Sequence, residues 1–208
     1  MLEIDSPFLI GSVGLFYIVF FVGTSILRRE GISLQFIIEA LVITLLIAGG
    51  DYFTDSDVNP VLFLIFLYLV TMRSRWVVDI ANLLSNQGRQ KDAISMLQAA
   101  LRLYPDKPSR LIVLTSMGIV QLRRENPASA LSILESVLEE SKNGGLDIRY
   151  RSACHFNLGL ALQQQGKEGP AGRHFQAAVD VSPRSPYGKE AKQVLEQRRS
   201  GKVKKGKK

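Results

Sequence analysis

Two long apolar runs near the start of the chain restrict its fold more than any other feature. Residues 8–27 are almost all apolar over 20 positions, and residues 32–50 form a second run. At about 1.5 Å per residue, a helix of this length spans roughly 30 Å, the thickness of the hydrocarbon core of a bilayer. The first run is too long for the apolar region of a signal peptide, and the preceding MLEIDSP is acidic rather than basic. We therefore expect two transmembrane helices.

A third apolar run, residues 61–72, is short for a membrane-spanning helix. It reaches that length only if the helix continues to residue 77, with Arg73 and Arg75 extending towards the headgroups and Trp76 at the interface. The predicted anchor comprises residues 1–73. Its helices cover about 8–27, 32–50 and 61–77, and the last of them runs towards the C-terminal half.

The charges between the apolar runs predict the orientation, because Lys and Arg are retained on the cytoplasmic side of a membrane. Arg28 and Arg29 lie between the first two runs, and Arg73 and Arg75 follow the third. In the N-terminus and in residues 51–60, every charged side chain is acidic. The N-terminus is therefore predicted outside. The C-terminal half is predicted at the cytoplasmic face, or on the equivalent side of an organelle membrane.

Glu39 lies inside the second apolar run. An uncompensated carboxylate in the membrane costs several kcal/mol, so such a residue is either paired or functional. In one interpretation Glu39 extends its carboxylate towards the headgroups, or it pairs with Arg73 or Arg75 and holds the three helices together. In the other it lies on a transport pathway. No second ionisable group in the apolar runs suggests a relay, which favours the first interpretation.

Charge separates the chain into two unlike halves. Residues 1–72 contain two Arg and seven acidic residues, whereas residues 73–208 contain 24 Lys or Arg and 12 acidic residues. The basic character therefore belongs to the second half alone. The single cysteine, Cys154, excludes an internal disulfide and a zinc site built from cysteines.

The second half contains an internal repeat. The segments NQGRQKDAISMLQAALRLYP and QQGKEGPAGRHFQAAVDVSP align without a gap and share Gln-Gly, an alanine five residues later, Ala-Ala and a final proline. The segment LRRENPASALSILESVL follows the same pattern more loosely. This pattern resembles the tetratricopeptide repeat, a helix–turn–helix unit of about 34 residues.

The resemblance places three repeats at residues 74–107, 111–144 and 152–185. Small residues at matching positions would let the two helices of each repeat approach closely, with a larger residue beside them. Residues 143–151 are extra, and we expect them to lengthen the first helix of the third repeat or to loosen the packing between repeats. The matching residues are Ala81, Ala93, Leu97, Ala100 and Pro105 in the first repeat, Gly118, Ala130 and Leu134 in the second, and Leu158, Gly159, Ala171, Phe175, Ala178 and Pro183 in the third.

A capping helix over residues 186–198 is predicted after the third repeat, because Ser185 is a favourable cap and Pro186 suits a first turn. The repeat domain would then cover residues 74–199, followed by a disordered polybasic tail at 200–208. Such a tail is solvated, or it contacts anionic headgroups at about 1 kcal/mol per basic residue. Nucleic-acid binding is not expected, because no aromatic residues interleave with the lysines. The basic residues predicted near the membrane surface are Arg28, Arg29, Arg73, Arg75, Lys202, Lys204, Lys205, Lys207 and Lys208.

In the tetratricopeptide family the first helices line a concave groove that binds peptides or helices, and the resemblance implies such a groove here. Val78 and Ala153 stand where some members have the lysines of a carboxylate clamp, so a clamp is not expected. The mixed apolar surface instead predicts an amphipathic or apolar partner segment. Alternatively, its apolar residues pack against neighbouring helices. The predicted groove residues are Val78, Asp79, Asn82, Thr115, Ser116, Ile119, Leu122, Phe156, Asn157, Leu160 and Gln163.

Patterns typical of catalysis are absent from the sequence. His155 and His174 occupy repeat positions that face neighbouring helices, and Cys154 points away from its neighbour His155 because adjacent helical residues diverge. There is no glycine-rich phosphate loop, no paired metal-ligand spacing and no nucleophile elbow. We therefore predict no catalytic residues, no metal and no cofactor.

The sequence thus predicts an all-α chain, with N-terminal transmembrane helices followed by an α-solenoid of about three tetratricopeptide-like repeats and a capping helix. The predicted function is a membrane-tethered scaffold that recruits a protein partner at the cytoplasmic face, or the stromal face in a thylakoid. This architecture is similar to tethered repeat proteins that assist the assembly of membrane complexes, including the photosystem I assembly factors of thylakoids. The alternatives are a small transport or channel subunit centred on Glu39 and a stoichiometric structural subunit of a large complex.

Overall fold

The computed structural model describes residues 5–27, 32–54 and 56–205, with the backbone alone for residues 201–205. Helices make up most of this part of the chain, and no β-strand occurs in it. In chain order the helices are α1 (Ser6–Leu27), α2 (Leu34–Thr54), α3 (Pro60–Thr71), α4 (Arg73–Asn86), α5 (Gln90–Arg102), α6 (Lys107–Arg123), α7 (Pro127–Glu140), a 3₁₀ turn (Ser141–Asn143), α8 (Ile148–Gln164), α9 (Glu168–Val181) and α10 (Pro186–Lys205).

Helices α1, α2 and α3 pack around a small apolar cluster of their own. Gly14 lets α1 approach α2 closely, since a Cβ atom at this position would lie 2.3 Å from Cγ2 of Thr44. The Tyr17 hydroxyl lies 2.6 Å from Oγ1 of Thr71 and joins α1 to the end of α3. Most of the outward-facing side chains on these helices are large and apolar. Helices α1 and α2 are each long and apolar enough to cross a membrane.

The third apolar run does not continue as one helix to residue 77, so this part of the prediction is wrong. Helix α3 ends at Thr71, and α4 leaves it at an angle of 68°. The reason is a change in pattern at Met72: α3 is apolar on every side, whereas α4 buries one face against α5 and α6. That face cannot reach α5 and α6 unless the chain turns. The buried residues of α4 are Ser74, Val78, Ala81 and Ser85.

The helices from α4 to α9 form three helix–turn–helix units, and α10 packs on the last of them. Each helix contacts the next, and α4 also contacts α6, α6 contacts α8, and α8 contacts α10. The first helices of the units therefore lie side by side, with the second helices behind them. This packing confirms the predicted all-α solenoid, which follows apolar N-terminal helices and ends in a further helix.

The turn inside each unit requires one residue with a positive φ angle, and it occurs at the same repeat position each time. The three residues are Gly88 at 81°, Glu125 at 58° and Gly166 at 74°. Each lies five residues before the small residue of the second helix, which is Ala93, Ala130 or Ala171. Glycine adopts this left-handed conformation without steric cost, whereas in Glu125 the Cβ atom makes the same conformation unfavourable.

Two glycines in the first helices allow close crossing with the second helices. A Cβ atom on Gly118 would lie 2.6 Å from Cγ of Leu134, and one on Gly159 would lie 2.6 Å from the Phe175 ring. Both partner side chains are fully buried. In the first unit the corresponding residues are Ala81 and Leu97, which are also fully buried.

Two of the first helices start earlier than the repeat pattern predicted. Helices α6 and α8 begin at Lys107 and Ile148, each four residues before the predicted start of its repeat. The Asp106 carboxylate accepts the Ser109 N–H, and that of Asp147 accepts the Arg149 N–H, so an acidic cap fixes each start. The extra residues 143–151 were expected to lengthen the first helix of the third unit or to loosen the packing between repeats. The early start of α8 at Ile148 agrees with the first outcome.

Helix α10 begins as the sequence predicted, with the Ser185 hydroxyl accepting the Gly188 N–H at 3.0 Å. It ends at Lys205, beyond residue 198. Residues 200–205, which were predicted as disordered, therefore form part of this helix. Residues 206–208 lie outside the described part of the chain.

Candidate functional site

The first helices of the three units and the start of α10 together line a groove. Its larger section, a cavity of about 870 Å³, lies between α6, α8 and α10. A smaller section of about 400 Å³ lies between α4, α6 and the start of α8, and it shares Ile119, Arg123, Arg149 and Tyr187 with the larger one. The groove therefore extends along all three units.

Most of the predicted groove residues line this surface. Six of them border the larger section, and Asn82 and Ser116 border the smaller one, which Ile119 also reaches. Asn157 donates one side-chain N–H to the Ala153 carbonyl at 2.8 Å, so one of its two amide N–H groups is occupied. The six residues of the larger section are Ile119, Leu122, Phe156, Asn157, Leu160 and Gln163.

Three predicted residues do not line the groove, and these predictions are wrong. Val78 is only 2% exposed and belongs to the core. It occupies the same repeat position as Phe156, but the shorter side chain does not reach the groove. Thr115 is buried, where its hydroxyl donates to the Leu111 carbonyl. Asp79 lies in a different cleft, between α4 and the first two helices.

The repeat pattern missed the cationic part of the groove. Arg123 extends from the last turn of α6 and donates to Oγ of Ser85 at 2.9 Å and to Oδ1 of Asn86 at 2.8 Å. Arg149 is exposed in the first turn of α8, and among the described residues its side chain has no ion pair. The sequence does contain a signal for these two residues: one basic residue lies in the last turn of a first helix, and another lies in the first turn of the next first helix.

Two tyrosines complete the groove, and sequence reasoning also missed them. Tyr150 follows Arg149 on α8, and Tyr187 lies in the first turn of α10, in contact with the Phe156 ring at a centroid distance of 6.0 Å. Burial raises the pKa of both phenols, so they remain neutral hydrogen-bonding groups. The groove thus offers apolar, aromatic and cationic groups to a bound segment.

A second polar site lies where the repeats meet the apolar helices. Arg73 donates from Nη1 to Oε2 of Glu39 at 2.7 Å and from Nη2 to Oε1 at 3.1 Å. Gln35 donates from one amide to Glu39 and to the Tyr104 carbonyl, and Nε of Arg73 donates to the Leu103 carbonyl. This cluster joins α2, the start of α4 and the loop between α5 and α6.

The other basic residues predicted at the membrane surface are only partly described. Arg75 lines both the groove and the cleft beside the first two helices. The side chains of Lys202, Lys204 and Lys205, and the whole of Arg28, Arg29, Lys207 and Lys208, lie outside what the structure describes. Their proximity to a membrane stays a prediction.

His155 and His174 meet on the other side of α8, with their Nδ1 atoms 3.2 Å apart. Burial, together with the neighbouring His174 and Arg151, lowers the pKa of His155 to about 4. Burial also lowers the pKa of His174. Within the described residues, no group of three or more His, Cys, Asp or Glu is placed to hold a metal.

Cys154 is buried where α8 packs on α6, and its Sγ atom lies 3.4 Å from Oγ1 of Thr115. Burial raises the pKa of its thiol to about 12, which keeps it protonated. A protonated buried thiol is a poor nucleophile. Cys154 therefore contributes to packing in this structure.

A family model of the tetratricopeptide repeat matches residues 73–139. The matched segment covers α4 to α7, the first two helix–turn–helix units. It supports the tetratricopeptide interpretation, and the third unit continues the same packing beyond it. No curated protein matches the chain. Tetratricopeptide domains bind protein partners in general, which supports an interaction domain in this part of the chain.

Proposed function

We propose that this protein is a membrane-tethered scaffold, in which tetratricopeptide-type repeats recruit a protein partner at the cytoplasmic face of a membrane. The observation that carries the proposal is the groove along α4, α6 and α8, which α10 closes at one end. Repeat proteins bind extended segments or helices on such concave surfaces. We propose assistance in the assembly of a membrane complex as its role, with no catalytic step.

The chemistry of the groove specifies the kind of segment that would bind. Leu160 and Ile119 are half-buried apolar side chains on neighbouring first helices, and Tyr187 flanks them. Arg123 and Arg149 lie along the same surface. An amphipathic segment would place its apolar side chains against Ile119, Leu160 and Tyr187, and its carboxylates against the two arginines.

The proposed tether consists of α1, α2 and the bent pair of α3 and α4. The first two helices have the length and composition of membrane spans, and the bent pair meets the same criteria when taken together. The positive residues after α1 and α3 support a cytoplasmic position for the repeats.

The test is co-purification from membranes in mild detergent, followed by mass spectrometry. In the groove variant Ile119→Glu/Leu160→Glu, both substitutions introduce charge at half-buried positions of the groove. The control is Ile133→Glu, because this isoleucine is also half-buried but lies on α7, outside the groove. Circular dichroism establishes that each variant is folded. Loss of one partner in the groove variant alone supports the proposal, whereas an unchanged set of partners contradicts it.

A charge exchange separates specific recognition from a general loss of fold. Arg149→Glu reverses a charge in the groove, and Arg173→Glu reverses one on α9, which does not line the groove. Both arginines are exposed, so neither change disturbs the core. We expect the first variant to weaken partner binding and the second to leave it unchanged.

The alternatives lead to different results in the same preparation. A transport or channel subunit would lose its function in Glu39→Gln while partner recruitment stays intact. The two bonds from Arg73 to Glu39 instead favour a structural role for this carboxylate. A stoichiometric subunit would be present in the mature complex in a fixed ratio, whereas an assembly factor would be substoichiometric there.

A further inference from the structure

Helix α4 carries a stripe of large apolar side chains on the face that points away from the repeats. Trp76, Ile80 and Leu83 are 44%, 46% and 58% exposed. Their spacing of four and three residues places them on one side of the helix. The opposite side is the one that packs on α5 and α6. The apolar stripe, residues 76, 80 and 83, therefore has no cover from the repeats.

The position of α4 in the solenoid makes this exposure unusual. A terminal unit of a repeat protein needs a polar outer face or a covering element. At the C-terminal end α10 provides the cover by packing on α8 and α9. At the N-terminal end the outer face of α4 is apolar. Helices α1 to α3 reach only the start of the stripe. Trp76 contacts the Tyr68 ring and lines the cleft beside α1 and α2, whereas Ile80 and Leu83 do not line that cleft.

The bend at Met72 sets the direction of α4 relative to the proposed spans. An angle of 68° separates α4 from α3. If α3 runs along the membrane normal, α4 lies about 22° from the membrane plane (90° less 68°). An amphipathic helix in this orientation buries its apolar face at the boundary between headgroups and acyl chains.

The loop between α5 and α6 supports the same placement. The Tyr104 carbonyl accepts a hydrogen bond from Gln35 at 2.8 Å, and Gln35 lies in the first turn of α2. The loop therefore lies at the level where α2 would enter the membrane. The Tyr104 side chain is 83% exposed there, and Leu103 is 38% exposed. Tyrosine and tryptophan are enriched at membrane–water interfaces, where one end of the side chain is apolar and the other hydrated.

We propose that the apolar stripe of α4, together with Leu103 and Tyr104, lies in the headgroup region of the bilayer, so that the lipid surface covers the open end of the solenoid. The proposal rests on the membrane tether of the proposed function and extends it. The first repeat is then fixed flat against the membrane. Its groove faces sideways along the surface, because the groove residue Asn82 lies on a flank of α4 between the stripe and the buried face.

Tryptophan fluorescence tests this placement, since Trp76 is the only tryptophan in the chain. The full chain is reconstituted in phosphatidylcholine vesicles whose acyl chains carry bromine near the headgroups. The reporter variant is Trp76→Phe/Leu83→Trp, which moves the probe to the far end of the stripe. The control variant is Trp76→Phe/Arg184→Trp, with the probe on the exposed turn after α9.

We expect bromine to quench the probe at position 83 to an extent comparable with Trp76, and iodide in the water phase to leave it unquenched. The probe at position 184 should show the reverse. A probe at position 83 that iodide quenches and bromine does not would overturn the proposal. A probe protected from both quenchers would also overturn it, because a second copy of the protein would then cover the stripe.

Failure of the tether gives a separate result. A chain that does not span the bilayer is released from the vesicles at alkaline pH. That outcome contradicts both the tether and the placement of α4. A chain that resists alkaline extraction but exposes position 83 to iodide contradicts the placement alone.

Discussion

Substitution of Gly159 by alanine tests the packing that defines the repeats. A Cβ atom at this position would lie 2.6 Å from the Phe175 ring, closer than side chains approach in folded proteins. The ring is fully buried and is held by Phe156, at a centroid distance of 5.8 Å, and by Arg198, at 5.6 Å. It therefore has no free space into which it can retreat.

Two opposing effects determine how far Gly159→Ala changes the free energy of unfolding. Overpacking of a filled core costs about 1–3 kcal/mol. Replacing a glycine inside a helix by alanine returns up to about 1 kcal/mol through helix propensity. We expect Gly159→Ala to lower the free energy of unfolding by about 1–2 kcal/mol. The control Gly169→Ala meets nothing within 4 Å and should be neutral or slightly stabilising.

Cys154 provides the assay, because it is the only cysteine and lies on the same helix as Gly159. Its thiol is buried with a pKa raised to about 12, so it reacts with a thiol reagent only after α8 is exposed. Labelling is followed in mild detergent at increasing urea concentrations. A loss of 1–2 kcal/mol corresponds to an increase of about 5–30-fold in the labelled open state.

A compensating substitution completes the test. The first unit has an alanine and a leucine, Ala81 and Leu97, where the third has Gly159 and Phe175. The double variant Gly159→Ala/Phe175→Leu reproduces the first unit, and we expect it to be more stable than the sum of the two single changes predicts. Additive effects, or a Gly159→Ala variant as stable as the native protein, would refute this account of the helix crossing.

Three further predictions concern other parts of the structure. Arg73→Leu should lower the thermal unfolding midpoint in detergent more than Glu39→Leu/Arg73→Leu does, because the single change leaves an unpaired carboxylate. As pH falls from about 6.5 towards 4, the free energy of unfolding should decrease by about 1–2 kcal/mol. The cause is His155, whose pKa is lower in the folded state than in the unfolded state, and its partial exposure to solvent reduces the effect. Urea unfolding of His155→Gln/His174→Gln should show a smaller pH dependence. Glu125→Gly should raise the urea midpoint by the equivalent of about 0.5–1 kcal/mol, because a φ of 58° strains a residue with a Cβ atom.

The sequence predicted those features of the fold that depend on local pattern. The uninterrupted apolar runs predicted α1 and α2, since few other arrangements accept so many consecutive apolar residues. The Gln-Gly turns predicted the register of the repeats, because Gly88 and Gly166 hold positive φ angles five residues before each second helix. The loose second copy followed the same geometry with Glu125 in place of glycine.

The features that the sequence did not predict depend on contacts between distant segments. One helix was predicted over residues 61–77, but the chain bends at Met72 because α4 packs on α5 and α6. The positions of Arg149 and Tyr187 in the groove depend on how α8 and α10 meet α6. Repeat position alone also misplaced Val78, because reaching the groove depends on the size of the side chain as well as on its position.

Site-specific photo-crosslinking in native membranes tests the recruitment of a partner by the groove most directly. A photoreactive residue replaces Gln163, which is exposed in the larger section of the groove, or Arg173, which is exposed on α9. We expect one dominant protein adduct from position 163 that is absent from position 173 and is lost in Ile119→Glu/Leu160→Glu. Equal adducts from both positions, or a dominant adduct from position 173 alone, would contradict partner recruitment through this groove.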